Sequence, residues 1–318
     1  MSCQQEINMN YSTLEAMRRQ ECTGYKCEDY LHSKLQKSFS PTSAIDAMFM
    51  TNFADQQGST MTQEDIMVCI NNRSKMAQWC MTLMDACQLS RETVTIAMSY
   101  LDRFLATPTG SECIEDSAAF QLACMTALYS AIKIHEEKAI SPEVLSTISR
   151  GFYSKQDMEA MEWRMLQALQ WRVNVPTPLA FVREYLQMIP SAVLTDACKD
   201  QLLTLVKIQT ELAVANYSFV TIKPSSIGFA ALMNALEVVG LDFGILHQFI
   251  LAVSDLDTDE IFRIQATLFA AVSTMTSLRG VCGQEARRVI SDNATSRPKR
   301  RQSHTISPRA VTDHAQIA

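Results

Sequence analysis

The sequence predicts an all-α protein built from two tandem five-helix domains, with flexible N- and C-terminal tails. Three observations support this prediction. From Thr62 onward, apolar residues recur every three or four positions, which is the period of an amphipathic helix. The chain has only nine glycines among 318 residues, and no segment alternates apolar and polar residues as a strand would. Two stretches, 118–133 and 224–238, are apolar or small nearly all round, so other helices must surround them.

Composition limits the class of protein. A net charge of −6 and a pI near 5.5 argue against a nucleic-acid-binding body, because phosphate contacts need a basic surface. The ten cysteines are scattered without a CxxC pair, so we expect reduced thiols in an intracellular protein, with no metal and no cofactor. The polar start MSCQQEINMN predicts no signal peptide. We expect no membrane association, because Gln121, Thr126 and Ser130 interrupt the stretch 118–133, which is also short for a span.

Residues 1–60 are predicted to be an N-terminal extension that is partly helical. A helix is expected within 11–31, around YSTLEAMRR. The stretch 38–60 is rich in Ser and Thr and has little periodicity, so we expect a flexible connector there.

A first domain is predicted at 61–175. Its first helix carries an apolar stripe that starts near Ile66 and reaches Met84. The second helix follows Ser90, a favourable N-cap, and has Glu92 in its first turn, where a negative charge suits the helix dipole. The stretch 118–133 is the third and central helix.

Two further helices complete this domain. Ser141-Pro142 predicts a short helix that ends near residue 149, because serine caps a helix and proline suits its first position. The sequence from Ser154 to Asp157 resembles a capping box and predicts the fifth helix, whose inward side chains are Met158, Met161, Met165, Leu166 and Leu169.

A second domain is predicted at 176–283, and it repeats this plan. Thr177-Pro178 starts it with the same combination of cap and proline. Its helices are expected at 178–188, 194–217, 224–238, 243–253 and 257–278. Residues 284–318 are rich in Arg, Ser, Asn and Pro, and we expect a disordered basic tail.

Several motifs resemble the cyclin family. The run Met98-Ser-Tyr-Leu-Asp-Arg-Phe-Leu105 is similar to the second-helix signature of cyclin boxes, and its YLDRFL form is most like D-type and diatom cyclins. The central helix and the passage Leu169-Gln-Trp171…Pro176-Thr-Pro178 also match the family in order and spacing. The second domain resembles a cyclin box more weakly, through the run Lys223-Pro-Ser-Ser-Ile227. The resemblance implies two tandem cyclin boxes.

This resemblance implies a function. A cyclin is a regulatory subunit without enzymatic activity that forms a heterodimer with a cyclin-dependent Ser/Thr protein kinase and activates it, here expected in cell-cycle control. By the family's pattern, Lys133 and Glu162 hydrogen-bond the kinase backbone, with Ile134 and Glu136 beside them. The chain departs from the pattern at Ile132, where a serine is usual, and at His135, where an acidic residue is usual.

The resemblance also implies a groove that docks kinase substrates or inhibitors. The aligned residues are Arg73, Met76, Trp79, Leu83 and Gln121. Polar residues at Ser74, Lys75 and Thr82 differ from the usual groove and put docking of an Arg-x-Leu peptide in doubt.

Asp102 and Arg103 are adjacent charges inside a well-patterned helix. Such charges more often tie helices together than catalyse a reaction, so we assign them to the fold. Arg73 is the expected partner, either through Asp102 itself or through a neighbouring carbonyl.

The predicted tail holds two short motifs. Arg297, Lys299, Arg300 and Arg301 form a basic cluster that would serve as a nuclear import signal, and Ser307-Pro308 would serve as a proline-directed phosphorylation site. We therefore expect the protein in the nucleus and the cytoplasm.

Three alternative functions differ in how well they fit the sequence. An enzyme is disfavoured because no Gly-rich phosphate loop or HExxH or GxSxG motif occurs, and the five histidines do not cluster in sequence. A cyclin-fold nucleic-acid-binding factor, similar to general transcription factor IIB, would need a basic body and a zinc ribbon. A cyclin-like regulator whose kinase serves transcription or nutrient signalling stays open.

Overall fold

A computed structural model describes residues 3–32, 61–138, 140–191, 193–240 and 257–273. These residues form helices joined by short turns, and no strand occurs among them. The predicted all-α fold is therefore confirmed. The helix expected at 243–253, the connector at 38–60 and the tail at 284–318 lie outside the described residues.

The helices follow one another in a first module, α2 to α7, and a second module, α8 to α11, with α1 before them. Their bounds are α1 Cys3–Cys22, α2 Gln63–Cys87, α3 Glu92–Leu105, α4 Pro108–Ser111, α5 Ser117–His135, α6 Pro142–Ile148, α7 Lys155–Ala168, α8 Pro178–Gln187, α9 Asp196–Ala215, α10 Pro224–Val239 and α11 258–273. The five helices predicted for the first domain are all present, and the short α4 is an addition.

Local capping sets where several helices begin. The predicted capping box of α7 is present, because Ser154 Oγ accepts the Asp157 N–H at 3.2 Å and Asp157 accepts the Ser154 N–H at 2.8 Å. Helix α3 starts at Glu92, one residue later than an N-cap at Ser90 predicts, although Ser90 Oγ accepts the Glu92 N–H at 3.2 Å. The expected cap is thus shifted rather than lost.

Helix α5 is the centre of the first module. From Phe120 to Ile132 every residue except Leu122 is buried, and the helix packs mainly against α3 and α7. Its length and composition are those of a helix able to cross a membrane, contrary to the expectation that it is too short. Other helices cover most of its surface, so its apolar character is explained by the protein core.

Helix α10 has the same place in the second module. Its residues from Ser225 to Leu236 are all buried between α8 and α9. Gly228 allows the close approach of α8, since a Cβ atom there would lie 2.5 Å from the backbone oxygen of Pro178. Small and apolar side chains on every face predicted both central helices. Close packing against neighbouring helices explains this feature.

The N-terminal extension packs on the second module. Helix α1 begins at Cys3, eight residues before the predicted start at Tyr11, and Leu14 is 1% exposed within the second core. Glu21, at the end of α1, is buried and accepts hydrogen bonds from Ser225 N at 2.9 Å and Ser225 Oγ at 2.6 Å. Glu21 therefore caps the first turn of α10 from a distant part of the chain.

A buried ion pair joins the two modules. Arg73 on α2 donates from Nε and Nη2 to the two carboxylate oxygens of Asp102 on α3, at 2.8 and 2.7 Å. Its Nη1 donates to the carbonyl of Val214 on α9 at 2.8 Å. Tyr30 Oη donates to Asp102 Oδ1 at 3.0 Å. The prediction that Arg73 and Asp102 serve the fold agrees with this geometry, and both expected partners of Arg73 are present.

Candidate functional site

Lys133 and Glu162 form an ion pair at the C-terminal end of α5. Lys133 Nζ lies 3.3 and 3.2 Å from the two carboxylate oxygens of Glu162. The Lys133 side chain is 52% exposed and the Glu162 side chain is 13% exposed. The packing of α5 against α7 brings these residues together, although 29 positions separate them in the chain.

Two neighbours hold this pair in place. Ser130, one turn before Lys133 on α5, donates to Glu162 Oε1 at 3.0 Å. Lys133 Nζ also lies 5.5 Å from the centre of the Tyr129 ring, within the range of a cation–π contact. The ammonium and carboxylate groups are therefore preorganised at the surface.

Exposed apolar side chains lie beside the pair in sequence. Ile134 is 44% exposed, as its predicted contact role requires. Trp163 and Trp171 are 56% and 57% exposed, and their rings meet edge to face at a centroid distance of 6.0 Å. Sequence reasoning did not assign either tryptophan to the site. The available signal was that Trp163 directly follows Glu162 and lies between the inward positions Met161 and Met165.

Glu136 has a structural role that the sequence did not predict. Its carboxylate accepts hydrogen bonds from Ser90 N at 3.1 Å and from the hydroxyl of Thr93. It therefore closes the first turn of α3, and a kinase would have to share or replace these bonds. The structure thus gives Glu136 a capping role, and its contact with a kinase stays a prediction.

His135 also faces its own chain. Its Nε2 lies 3.0 Å from Tyr100 Oη and 3.3 Å from the carbonyl oxygen of Val173, and Tyr100 Oη donates to the same carbonyl at 2.6 Å. Both groups that Nε2 contacts then act as acceptors, so we assign the imidazole proton to Nε2. The imidazole thus joins the end of α5 to α3 and to the segment that leads into the second module.

The five side chains assigned to substrate docking are all buried. Their exposed fractions are 3% for Arg73, 0% for Met76, 7% for Trp79, 9% for Leu83 and 3% for Gln121. Arg73 has the structural role that was also expected of it, because Asp102 and a backbone carbonyl bind its guanidinium group. Gln121 likewise accepts a hydrogen bond from Tyr153 Oη at 2.9 Å. In this conformation these residues belong to the protein core and form no docking surface. Docking at these residues stays a prediction.

The remaining predicted sites fall elsewhere. Arg297, Lys299, Arg300, Arg301 and Ser307 lie outside the described residues. Within the described ranges, no three His, Cys, Asp or Glu side chains come together as a metal site would require. Cys22, Cys27, Cys69, Cys80, Cys87, Cys113, Cys124 and Cys198 are free thiols.

Comparison with protein families gives two adjoining matches. The sequence model for the cyclin N-terminal domain matches residues 47–174, and that for the cyclin C-terminal domain matches residues 176–295. Together these matches cover well over half of the chain. They begin before residue 61 and end after residue 283, and the domain bounds predicted from the sequence stay predictions.

Individual relatives are cyclins. Cyclin-A3-3 of Arabidopsis thaliana is 28% identical over 56% of this chain and 51% of its own length. G2/mitotic-specific cyclin-2 of Antirrhinum majus is 31% identical over 51% of this chain and 35% of its own length. The chain thus spans about half the length, or less, of these curated relatives. The predicted likeness to D-type and diatom cyclins stays a prediction.

One solved structure supports the fold. A viral cyclin from herpesvirus saimiri superposes with a TM-score of 0.52 at 18% identity, covering 64% of this chain and 85% of that one. At this identity the likeness concerns the arrangement of helices alone.

Proposed function

The chain belongs to the cyclin family, and from that membership we propose that it is a regulatory subunit that binds and activates a cyclin-dependent Ser/Thr protein kinase in cell-cycle control. One observation carries the proposal: Lys133 and Glu162 form a fixed ion pair that Lys133 presents at the surface, and each is followed in sequence by an exposed apolar residue, Ile134 and Trp163. Apolar side chains around a fixed charged pair are typical of a protein–protein contact.

The charged pair keeps hydrogen-bonding capacity for a partner. A lysine ammonium has three N–H donors, and here two of them face the Glu162 oxygens. A carboxylate has about four lone-pair sites. In this chain Lys133 and Ser130 occupy only some of those of Glu162. Both groups are thus able to bind a kinase backbone, as the family's pattern implies, without separating from each other.

The pair adds little to the stability of the fold. Lys133 is half exposed, and an ion pair of this kind contributes about 0–1 kcal/mol to the free energy of unfolding. At the centre of an interface, the same groups lose solvent and contribute more. Their geometry therefore favours a binding role over a folding role.

Activation follows from selective binding. Kinase catalysis needs a Lys–Glu ion pair at the regulatory helix and an ordered activation segment. A rigid helical partner that binds this active arrangement more tightly than the inactive one shifts the kinase toward it. The bond from Arg73 Nη1 to the carbonyl of Val214 on α9 joins the first module to the second, which supports a rigid partner.

We assign no chemistry of its own to the chain. A kinase partner that serves transcription or nutrient signalling is the second candidate, since the same surface would suit it. A nucleic-acid-binding role is disfavoured by the net charge of −6. We also propose that the protein occurs in the nucleus and the cytoplasm, on the basis of the basic cluster at 297–301.

Reconstitution tests the proposal. The purified full chain is added to chromatographic fractions of its own cell extract, and phosphate transfer to a general protein substrate is measured. We expect at least one fraction to gain Ser/Thr kinase activity with a 1:1 complex of chain and kinase. If no fraction gains activity, the proposal is wrong. Retention of the full chain on a heparin column at physiological salt would instead favour nucleic-acid binding.

A further inference from the structure

We propose that Ser141 is a phosphorylation site for a proline-directed Ser/Thr kinase. Three Ser/Thr-Pro pairs lie in the described part of the chain: Thr107-Pro108, Ser141-Pro142 and Thr177-Pro178. Their first residues have nearly the same backbone, with φ between −84° and −77° and ψ between 152° and 155°. Backbone conformation therefore does not distinguish the three sites. They differ in how accessible the hydroxyl group is.

The hydroxyl of Thr177 is not available to a kinase. Thr177 is 3% exposed, donates to Glu92 Oε1 at 2.6 Å and accepts from Ala180 N at 3.0 Å. Phosphorylation there would break both bonds and place the phosphate against the Glu92 carboxylate.

Thr107 is engaged in a similar way. It is half-buried, donates to the carbonyl of Phe104 at 2.7 Å and accepts from Gly110 N at 3.1 Å. Gly110 itself is buried against this turn, since a Cβ atom there would lie 2.0 Å from the Phe104 oxygen. A kinase would have to unfold the turn to reach the hydroxyl.

Ser141 lies instead on an open surface. It is exposed and makes no cap hydrogen bond to its helix. Its hydroxyl hydrogen-bonds the Glu143 carboxylate, whose side chain is 60% exposed. A backbone hydrogen bond, with those from Lys155 and Ser141, lowers the pKa of Glu143 to about 2. Water can replace the Ser141 bond at little cost, because both groups face solvent.

The chain around Ser141 can adapt to a kinase cleft. Helix α6 has seven residues, and Leu145 is the only one that is fully buried. Residues 136–138 and 140–141, which precede it, lie outside helices. None of residues 141–144, which precede Leu145, is buried, so opening them costs little compared with opening the turn at Thr107.

The chemical step is phosphoryl transfer from a nucleoside triphosphate. Ser141 Oγ forms a bond to the γ-phosphorus, and the bond from that phosphorus to its bridging oxygen breaks. The nucleoside diphosphate leaves with the electron pair, and the hydroxyl proton passes to the base of the modifying kinase.

The modification changes a local charge network. Lys155 Nζ lies 3.1 Å from Glu143 and 3.9 Å from Glu159. A phosphate on Ser141 adds about −1.5 to −2 charge at neutral pH and competes with Glu143 for this lysine. The phosphate lies at the start of α6 and would bind Lys155 of α7 in place of Glu143, so we expect the two helices to stay joined and the first turn of α6 to become more ordered.

The test compares the three sites in one folded protein. The full chain is incubated with a purified proline-directed Ser/Thr kinase and MgATP, and tryptic peptides are quantified by mass spectrometry. We expect phosphate at Ser141 at least about tenfold faster than at Thr107 or Thr177, which is the rate difference for an opening cost of about 1.4 kcal/mol. In synthetic peptides of the three segments, which lack the folded contacts, this difference should largely disappear.

Two outcomes overturn the proposal. One is a folded chain without phosphate at Ser141 although the same kinase modifies the matching synthetic peptide. The other is phosphorylation of Thr107 or Thr177 in the folded chain at the rate of Ser141. A Ser141→Ala variant serves as the negative control. Hydrogen exchange of residues 142–148 supplies a second measurement, and it should be slower in the phosphorylated chain than in the unmodified one.

Discussion

Glu92 and Arg183 are joined across the two modules. Glu92, the first residue of α3, accepts from Arg183 Nη1 at 3.0 Å and from Nη2 at 2.6 Å, and Arg183 lies on α8. The same carboxylate accepts from the buried hydroxyl of Thr177 at 2.6 Å. Arg91, the preceding residue, pairs with Glu211 of α9 at 2.9 Å. Two successive residues thus fix the angle between the first and second modules.

The Glu92→Ala variant should be less stable without losing its fold. It removes charge-assisted bonds and leaves the Thr177 hydroxyl without its acceptor, so we expect a loss of about 1–3 kcal/mol. Urea denaturation followed by circular dichroism measures the change. Glu15→Ala is the control, because the Glu15–Arg19 pair is largely exposed and should contribute little. Equal stability of both variants would contradict a joining role for Glu92.

The Asp102→Asn variant should be strongly destabilised. It leaves the guanidinium of Arg73, whose side chain is 4% exposed, without a counter-charge, and breaking a buried pair in this way costs about 3–5 kcal/mol. The double variant Arg73→Met with Asp102→Leu removes both charges and should lose less. Urea denaturation of the two variants tests this order, and a more stable single variant would contradict it.

Ala127→Asp should unfold the first module. Ala127 is 1% exposed on α5, and an aspartate there would bury a charge without a partner. Ala160→Asp on the exposed side of α7 is the matched control and should cost only the small difference in helix propensity. Thermal melts by circular dichroism separate the two. A melt of Ala127→Asp like that of the wild type would mean that α5 is not the core helix.

Local signals in the sequence predicted most of the fold. The all-round apolar character of α5 and α10 and the cap at Ser154 depend on residues close in the chain, and these predictions agree with the structure. The Glu21–Ser225 bond, the Glu136–Ser90 bond and the contact of Trp163 with Trp171 depend on packing between separate segments. No pattern within a single helix identifies such partners. Burial of the docking residues was missed for the same reason.

Glu21 should make stability depend on pH in a recognisable way. Burial raises the pKa of Glu21 above its ordinary value of 4.5, although hydrogen bonds from Ser225 act against this. Between the ordinary and the raised pKa, the folded state binds more protons than the unfolded state, so this contribution to stability falls as pH rises. Above the raised pKa the loss is complete and constant.

The Glu21→Gln variant measures this contribution. An amide oxygen still accepts a hydrogen bond from Ser225 and does not ionise. We expect the free energy of unfolding of the variant, minus that of the wild type, to rise as pH increases from 4.5 and then to level off. Urea denaturation at a series of pH values gives this difference and cancels the other titrating groups. A difference that falls over this range would contradict the raised pKa.

Lys133→Ala combined with Glu162→Ala should separate binding from folding. We expect kinase affinity to weaken by about 2 kcal/mol or more, as for residues at the centre of an interface. The loss of folding stability should be smaller than this loss of affinity, since Lys133 is half exposed, no buried charge remains and only the buried Ser130 hydroxyl loses an acceptor. Affinity is measured by calorimetry with the kinase that reconstitution identifies.

A matched control lies on the same helix. Arg164 pairs with Glu112 at 2.7 Å and is two residues after Glu162, about 200° around α7. The variant Arg164→Ala with Glu112→Ala also removes one exposed ion pair, but on the opposite face. If this control weakens binding as much as the Lys133 and Glu162 double variant does, the kinase does not recognise the α5–α7 end specifically. If neither variant weakens binding, the kinase contacts another surface of the chain.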